Sequence, residues 1–408
     1  MTNIVKIISV LGGLGVPAEL SPIRTPGDSV LAFVPEETPW DDPVDVAAAV
    51  DDLLASNTAA AAIPIAETAL LHIVDAYESD GPTGSERLAA RTRKLRDHLH
   101  QLLRGQQPAS HRTALFRVAS RTSAVLGYMA VNAGRHILAE SYSAEAIALA
   151  TDIGDLETVM WAHGTRSLSA YYQGAYTEAA TWAADGIALA PEHPQAIRLY
   201  VNGLARALSR QNDTDGTIRA IGAAEDLTER HPVPAGLTPC ISLGPYGVAR
   251  TLANAITGYV ALKDTAAVLR YENEISGHVA ASASDWTRSL VRLDVATALV
   301  SGQRPDIEHA MLLGQQVLRD AAGGPLILSV VQRAHDLRRS AAKWEDTTAV
   351  REYRDALADW STTPRVRQLR SRSATMPASP QPSGRTPPSD GTTDDVPRHV
   401  PARPAPRP

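Results

Sequence analysis

The sequence predicts an all-α protein, and its composition and the spacing of its apolar residues both point to that class. Alanine and leucine supply most of the apolar content, and only 5% of the 408 residues are aromatic. Because strands draw on β-branched and aromatic residues, this composition favours closely packed helices. From residue 57 to about 360 the apolar residues recur at helical spacing, with Gly, Pro or Asp-Gly breaks between the runs. That rhythm is typical of stacked helical hairpins.

The first predicted segment, residues 1–56, is a weakly ordered, acidic and proline-containing lead-in. It holds nine acidic and two basic residues and is too small to close a core alone. Asp41, Asp42 and Asp45 form a DDxxD string, a pattern that binds magnesium in some all-α enzymes. Pro43 disfavours a helix interior, and no second acidic motif follows, so a carboxylate-rich turn or helix start is the better interpretation.

The second segment, residues 57–360, is predicted to be a domain of helical repeats. Gly174, Tyr176, Ala179, Gly186 and Pro191 lie at relative offsets 0, 2, 5, 12 and 17, as in the turn and second helix of a tetratricopeptide repeat. Small residues at offsets 5 and 12 would let two helices approach closely. A degenerate copy lies forty residues earlier, at Gly134, His136, Ala139 and Ala146. Because the spacing drifts between copies, we expect an irregular right-handed α-solenoid of tetratricopeptide-like hairpins.

The third segment, residues 361–408, is predicted to be a disordered tail rich in Pro, Arg and Ser. It contains eleven Pro, eight Arg and three Asp but no Lys, and it has too little apolar surface to offset chain entropy. The net charge of −6 is therefore the sum of a cationic tail and a body with 31 basic and 42 acidic side chains. Because acidic side chains outnumber basic ones in residues 1–360, this part of the chain is not expected to bind nucleic acid through a uniformly basic surface.

The repeat segment resembles a known family. The order of its hairpins, the unit QGAYTEAATWAADGIALA and the closing stretch VVQRAHDLRRSAAKWEDTTAVREYRDAL resemble the C-terminal effector half of actinobacterial helix-turn-helix regulators of the Xre type, over roughly residues 60–360. In that family an N-terminal helix-turn-helix reads DNA and the repeat half senses a ligand or partner. Residues 1–56 offer only Lys6 and Arg24 as cations, so a DNA-reading helix is not expected there.

Stacked hairpins present a concave surface lined by the first helix of each pair, and solenoids usually bind their partners there. Aromatic residues beside arginine suit the recognition of a peptide or protein. The repeat register places nine candidate ligand-binding or partner-binding residues on this surface: Arg121, Tyr128, Asn132, Trp161, Tyr171, Tyr172, Arg198, Tyr259 and Arg292. Packing between adjacent repeats is the alternative interpretation for each of them.

The expected function is non-enzymatic binding of a protein, a peptide or a small effector in transcriptional regulation. The single Cys240 excludes an internal disulfide and a cysteine-based metal cage, and no pair of catalytic groups stands out. We expect no cofactor and no metal. No apolar run spans a membrane and no export signal precedes the body, which indicates a cytoplasmic protein without a membrane partner. A second copy of the chain, giving a homodimer, is a further candidate partner.

Two alternative functions stay open at this point. A DNA-binding regulator would use the basic helix at residues 85–104, the arginine-rich tail, or a helix-turn-helix encoded upstream of Met1, and its binding would weaken steeply with salt. An all-α enzyme would instead require a polar pocket with converging carboxylates or a bound metal.

Overall fold

The computed structural model describes residues 41–53, 59–81, 84–105, 107–321 and 323–374. These residues form sixteen α-helices and no strand, which confirms the prediction of an all-α protein. The helices are α1 (Pro43–Leu53), α2 (Ala59–Ala76), α3 (Gly84–Arg104), α4 (Ala109–Asn132), α5 (His136–Asp152), α6 (Leu156–Tyr172), α7 (Tyr176–Leu189), α8 (Ala196–Arg198, Leu199–Leu204 and Ala205–Arg210), α9 (Thr214–Arg230), α10 (Val248–Leu262), α11 (Thr265–Ala280), α12 (Asp285–Ser301), α13 (Ile307–Asp320), α14 (Leu328–Ser340), α15 (Thr348–Ser361) and α16 (Pro364–Ala374). The middle part of α8, Leu199–Leu204, is π-helical, and a short 3₁₀ turn at Ala342–Trp344 follows α14.

Helices also occur at the edges of the two segments that were expected to be weakly ordered. Helix α1 lies inside the acidic lead-in, because an Asp42 carboxylate oxygen accepts a hydrogen bond from the Val44 backbone N–H (2.9 Å) and Pro43 occupies a position that needs no donor. Helix α16 begins at Pro364 and is anchored by the buried Val366. The rest of both predictions, for residues 1–40, 54–56 and 375–408, lies outside the described residues.

From α4 onward the helices alternate between an inner and an outer position. The inner helices are α4, α6, α8, α10, α12 and α14, and each packs against the next inner helix. The outer helices, α5, α7, α9, α11, α13 and α15, each pack against the inner helix that precedes them. The last inner helix, α14, also packs against the first, α4. The six inner helices therefore close into what we call the inner ring.

Short turns with left-handed backbone join several of these pairs. Gly134 and Gly174, which the repeat register placed at turns, have φ of +70° and +80°. Side chains with a Cβ rarely adopt this conformation, so glycine is the favoured residue at both positions. Aspartate side chains then accept a hydrogen bond from the first turn of the following helix at Asp155, Asp213, Asp264 and Asp306.

Small residues let the outer helices approach the inner ring closely. Ala146 and Ala179 are fully buried, as the register predicted. Gly186 of α7 lies between α6 and α8, where an added Cβ would be 2.8 Å from the Cβ of His163 and 2.9 Å from Cδ1 of Leu199. These distances are too short for a methyl group, so the local packing depends on glycine at this position.

We expect opposite effects from two Gly→Ala substitutions within helices. Gly186→Ala should lower the free energy of unfolding by about 1–3 kcal/mol, because the methyl group would overpack the α6–α7–α8 contact. Gly222→Ala in α9, where no atom lies within 4 Å of the added Cβ, should raise it by about 0.5–1 kcal/mol through helix propensity. Urea denaturation followed by circular dichroism measures both. Equal effects at the two positions would contradict the close packing assigned to Gly186.

Candidate ligand-binding site

The interior of the inner ring is filled on one side by the loop between α9 and α10, residues 231–247, which we call the central loop. Its Ile241 is fully buried, and the buried carboxylate of Glu78 accepts hydrogen bonds from the backbone N–H groups of Cys240 and Ile241. The indole Nε1 of Trp161 donates to the carbonyl of Ser242 (2.8 Å). The central loop thus contacts α8 and α10, because its Cys240 and Thr238 carbonyls accept hydrogen bonds from Arg198 and Arg250. Beside it lies a cavity of about 40 Å³, lined by all six inner helices, which we call the central cavity.

A larger concavity opens at the C-terminal halves of α6, α8, α10 and α12. We call it the basin; it has a volume of about 810 Å³, and α14 and Arg370 of α16 complete its wall. Five residues line both the basin and the central cavity, which therefore forms the floor of the basin: Tyr172, Arg206, Thr257, Ser329 and Arg333. The basin is thus built from helices that are far apart in sequence.

The lining of the basin is strongly cationic. Six cationic side chains surround it: Arg206, Arg210, Lys263, Arg333, Arg339 and Arg370. The carboxylates in the same lining are Asp294 and Asp336. The chain as a whole carries a net charge of −6, so the basin has the opposite sign to the rest of the molecule. A concavity lined by one sign of charge focuses the field and attracts ions of the other sign.

Arg206 is the most buried of these cations, with 3% of its surface exposed. Its Nη1 donates to Oδ1 of Asn202 (2.5 Å), its Nη2 donates to the hydroxyl of Tyr172 (3.3 Å), and the guanidinium lies 4.4 Å from the ring centroid of Tyr171. Burial lowers the pKa of Arg206, but the neighbouring tyrosines and Asp294 outweigh burial and raise it. Arg206 therefore stays charged. Its Nε is buried without a hydrogen-bond partner among the described residues.

Asp294 is the buried carboxylate at the floor of the basin. Its Oδ2 accepts hydrogen bonds from Nη1 of Arg333 (2.9 Å) and from the hydroxyl of Thr257 (2.7 Å). Burial raises the pKa of Asp294, and Arg333 counteracts part of that rise. Asp294 is hydrogen-bonded to Arg333, and Arg206 lies near enough to act on it electrostatically, so one carboxylate faces two guanidinium groups. The floor consequently carries an excess of positive charge.

The rim of the basin combines exposed cations with tyrosine rings. Nη2 of Arg210 donates to the hydroxyl of Tyr176 (2.9 Å), and Tyr176 packs edge-on against Tyr171 with ring centroids 5.5 Å apart. Arg339 pairs with Asp336. Lys263 and Arg370 are exposed and form no ion pair with any part of the chain that the structure describes. The rim can therefore offer both free positive charge and flat aromatic surface to a ligand.

Four of the nine predicted site residues lie on these cavities. Tyr171 and Tyr172 line the basin, and Tyr128 and Asn132 line the central cavity. The structure therefore brings together the C-terminal ends of α4 and α6.

The other five predicted site residues take part in packing or surface ion pairs. Trp161 and Arg198 are buried under the central loop, where Arg198 donates to the carbonyl of Cys240 and lies 4.7 Å from the Trp161 ring centroid. Tyr259 packs against Tyr271 in the core. The remaining two form ion pairs outside the basin: Arg121 with Asp155 and Glu157 (both 3.6 Å), and Arg292 with Asp320 (2.7 Å).

The cations that define the basin were not among the predicted site residues. Arg206 and Arg210 lie one helical turn apart on α8, and Arg333 lies on α14. The pair at i and i+4 was a usable signal, because such residues share one face of a helix. Nothing in the sequence around Arg333 indicates that it lines the basin, because its position there depends on the packing of α14 beside α12.

Other kinds of site are not evident in the described residues. They contain no group of three or more His, Cys, Asp or Glu side chains placed to hold a metal ion. None of their helices combines the length and apolarity needed to cross a membrane. No protein-family model matches the sequence, and no curated protein matches it at significant similarity.

We expect the hydroxyl of Tyr172 to ionise at a lower pH than that of an ordinary tyrosine, so that it gives the earliest component of an alkaline titration. Burial raises its pKa, but the positive charges of Arg206 and Arg333 outweigh burial, so the pKa is lowered. A lowered pKa adds stability at alkaline pH, which is lost as the pH falls through the pKa of the folded protein. An alkaline titration of tyrosinate absorbance should show an early component that Tyr172→Phe removes.

Tyr200→Phe is the matched control for this titration. Burial and Glu192 raise the pKa of Tyr200, although Arg230 opposes them, so its removal should leave the early component intact. An early component that persists in Tyr172→Phe would show that the guanidinium groups do not act on this hydroxyl.

Proposed function

We propose that this chain is a non-enzymatic, tetratricopeptide-like repeat protein that binds a small anionic effector or an acidic peptide in the basin, and that it acts in cytoplasmic transcriptional regulation. The observation that carries the proposal is the basin itself, in which six cations and two carboxylates line about 810 Å³ of a chain with net charge −6. The regulatory role rests on the resemblance of residues 60–360 to the effector half of Xre-type regulators. A right-handed repeat arrangement is part of the same proposal.

The dimensions and chemistry of the basin suit a small ligand. Its volume falls within the range of about 300–1,000 Å³ that is usual for small-molecule pockets. Guanidinium groups donate paired hydrogen bonds to carboxylates and phosphates, and tyrosine rings stack on planar groups. A ligand that joins a carboxylate or phosphate to a planar group would therefore use both the cations and the Tyr171 and Tyr176 rings.

A ligand in the basin would act on the arrangement of the inner ring. Arg206 and Arg210 lie on α8, whereas Arg333 and Arg339 lie on α14, which packs against α4. An anion that contacts both pairs of arginines would bind best when α8 and α14 stand at one fixed separation. Binding would therefore shift the population of the protein toward that arrangement of the ring.

The basic helix α3 is a weaker candidate for binding DNA than its sequence suggested. Its cations are largely engaged with neighbouring carboxylates: Arg87 with Asp80 (2.7 Å), Arg91 with Asp42 (2.7 Å), Lys94 with Asp45 (3.4 Å) and Arg96 with Glu145 (2.6 Å). A phosphate backbone would have to compete with these pairs. The basin, where cations outnumber carboxylates, is the stronger anion-binding site.

A series of charge variants tests the proposal with pyrophosphate and a hexaglutamate peptide as probes, by calorimetry at low ionic strength. Arg210→Gln and Arg339→Gln should each weaken binding about fivefold, the size expected for a partly exposed charge contact of about 1 kcal/mol. Asp336→Asn should tighten binding, because it removes a negative charge from the rim. Arg292→Gln, which removes an arginine outside the basin, should change neither affinity.

Two outcomes would count against this proposal. One is that neither probe binds at low salt, and the other is that Arg292→Gln weakens binding as much as the rim variants do. Binding of duplex DNA that is insensitive to Arg210→Gln and Arg339→Gln would instead favour the DNA-binding alternative.

A further inference from the structure

A second large cavity lies outside the inner ring, and nothing in the proposed function uses it. It has a volume of about 550 Å³ and lies between α3, the α4–α5 turn and α16; we call it the side pocket. Its inner surface is mostly apolar, with walls that include Leu126, Met129, Tyr142, Ile327 and Leu369. Leu138 lies at its edge and is 41% exposed, so apolar surface continues to the entrance.

Four arginines line the side pocket, and they come from three parts of the fold. Arg93 lies on α3, Arg135 lies in the α4–α5 turn, and Arg365 and Arg372 lie on α16. The carboxylate in this lining is Glu86, which pairs with Arg372 (3.5 Å). A net positive charge therefore surrounds the apolar interior of the side pocket.

These arginines differ in whether they already have a partner within the protein or are free to pair with a ligand. Arg365 donates to the carbonyl of Gly324 (3.0 Å) and is held in place. Arg93 and Arg135 are exposed and pair with no carboxylate within the described ranges. The hydroxyl of Ser85, which also lines the pocket, is buried without a hydrogen-bond partner among the described residues. A polar head group in the side pocket would have two free cations and one free hydroxyl available to it.

We propose that the side pocket binds an amphiphilic anion, an unbranched carboxylate whose acyl chain enters the apolar interior and whose head group pairs with Arg93 and Arg135. Apolar walls with a few placed polar groups are the usual composition of a ligand pocket, and a volume of this size accommodates a chain of about ten carbons. A neutral chain would gain only the apolar contacts. A cationic amphiphile would be repelled by the arginines.

The side pocket is distinct from the basin but shares a wall with it. Helix α16 contributes Leu369 to the side pocket, whereas its next residue, Arg370, lines the basin. Variants for the test can be placed on α3 and the α4–α5 turn, away from the basin. Failure of this proposal would therefore leave the proposed function of the basin unaffected.

Calorimetry of the full chain with decanoate, decan-1-ol and decyltrimethylammonium provides the test. Decanoate should bind at least about tenfold more tightly than decyltrimethylammonium. The double variant Arg93→Gln, Arg135→Gln should weaken decanoate about tenfold and leave decan-1-ol unchanged, because each exposed charge contact is worth about 1 kcal/mol or less. Arg104→Gln, at an exposed position of α3 that does not line the pocket, is the matched control and should have no effect.

A second variant tests the apolar part of the pocket. Ala90 lines the pocket at an exposed position of α3, so Ala90→Phe should fill the cavity and abolish the binding of both decanoate and decan-1-ol. Ala188→Phe, at an exposed position of α7, is its control. If circular dichroism shows that Ala90→Phe does not fold, the double arginine variant decides the outcome.

Three results would overturn the proposal. They are equal binding of decanoate and decyltrimethylammonium, decanoate binding that is unchanged in the double arginine variant, and the absence of decanoate binding together with binding to phosphatidylglycerol vesicles. The last result would assign the exposed leucine and the arginines to a membrane surface instead of a free carboxylate.

Discussion

Asp294 has to balance the buried guanidinium group of Arg206 and the half-buried one of Arg333 at the centre of the inner ring. Its carboxylate is hydrogen-bonded to Arg333 and Thr257, while Arg206 relies on Asn202 and on tyrosine groups. Removing a charge from water is costly unless partners compensate it, and the neighbours of Arg206 do so for its charge but leave its Nε without a hydrogen-bond partner among the described residues. The excess of cations over carboxylates in its lining therefore makes the basin attractive to anionic ligands.

The inner ring also depends on the central loop that fills one side of its interior. Backbone N–H and C=O groups in a buried loop need partners, and Glu78, Trp161 and Arg198 provide them for the central loop. These three side chains come from three different parts of the chain and converge on residues 240–242. Trp161 and Arg198 are thus used to hold the loop and are not available to a ligand, although their residue types suggested a binding surface.

The sequence predicts the local features of this fold well and its closure poorly. Gly134 and Gly174 could be placed at turns because glycine at a fixed offset before a helical period is a local signal. The burial of Trp161 could not be foreseen, because the loop that covers it lies about 80 residues later and has no helical or strand period. Arg206 and Arg333 become neighbours of Asp294 only when α8, α12 and α14 pack around one axis. Such contacts depend on the path of the whole chain.

Helix α16 links the two cavities in a way that follows from helix geometry. Consecutive residues of an α-helix point in directions about 100° apart, so Leu369 and Arg370 contribute to different surfaces of the same element. A ligand in the side pocket that displaced α16 would also move Arg370 relative to the basin. Thermodynamic linkage makes this effect reciprocal, with the same coupling free energy in both directions. Helix α16 is therefore the element through which occupancy of one cavity would affect the other.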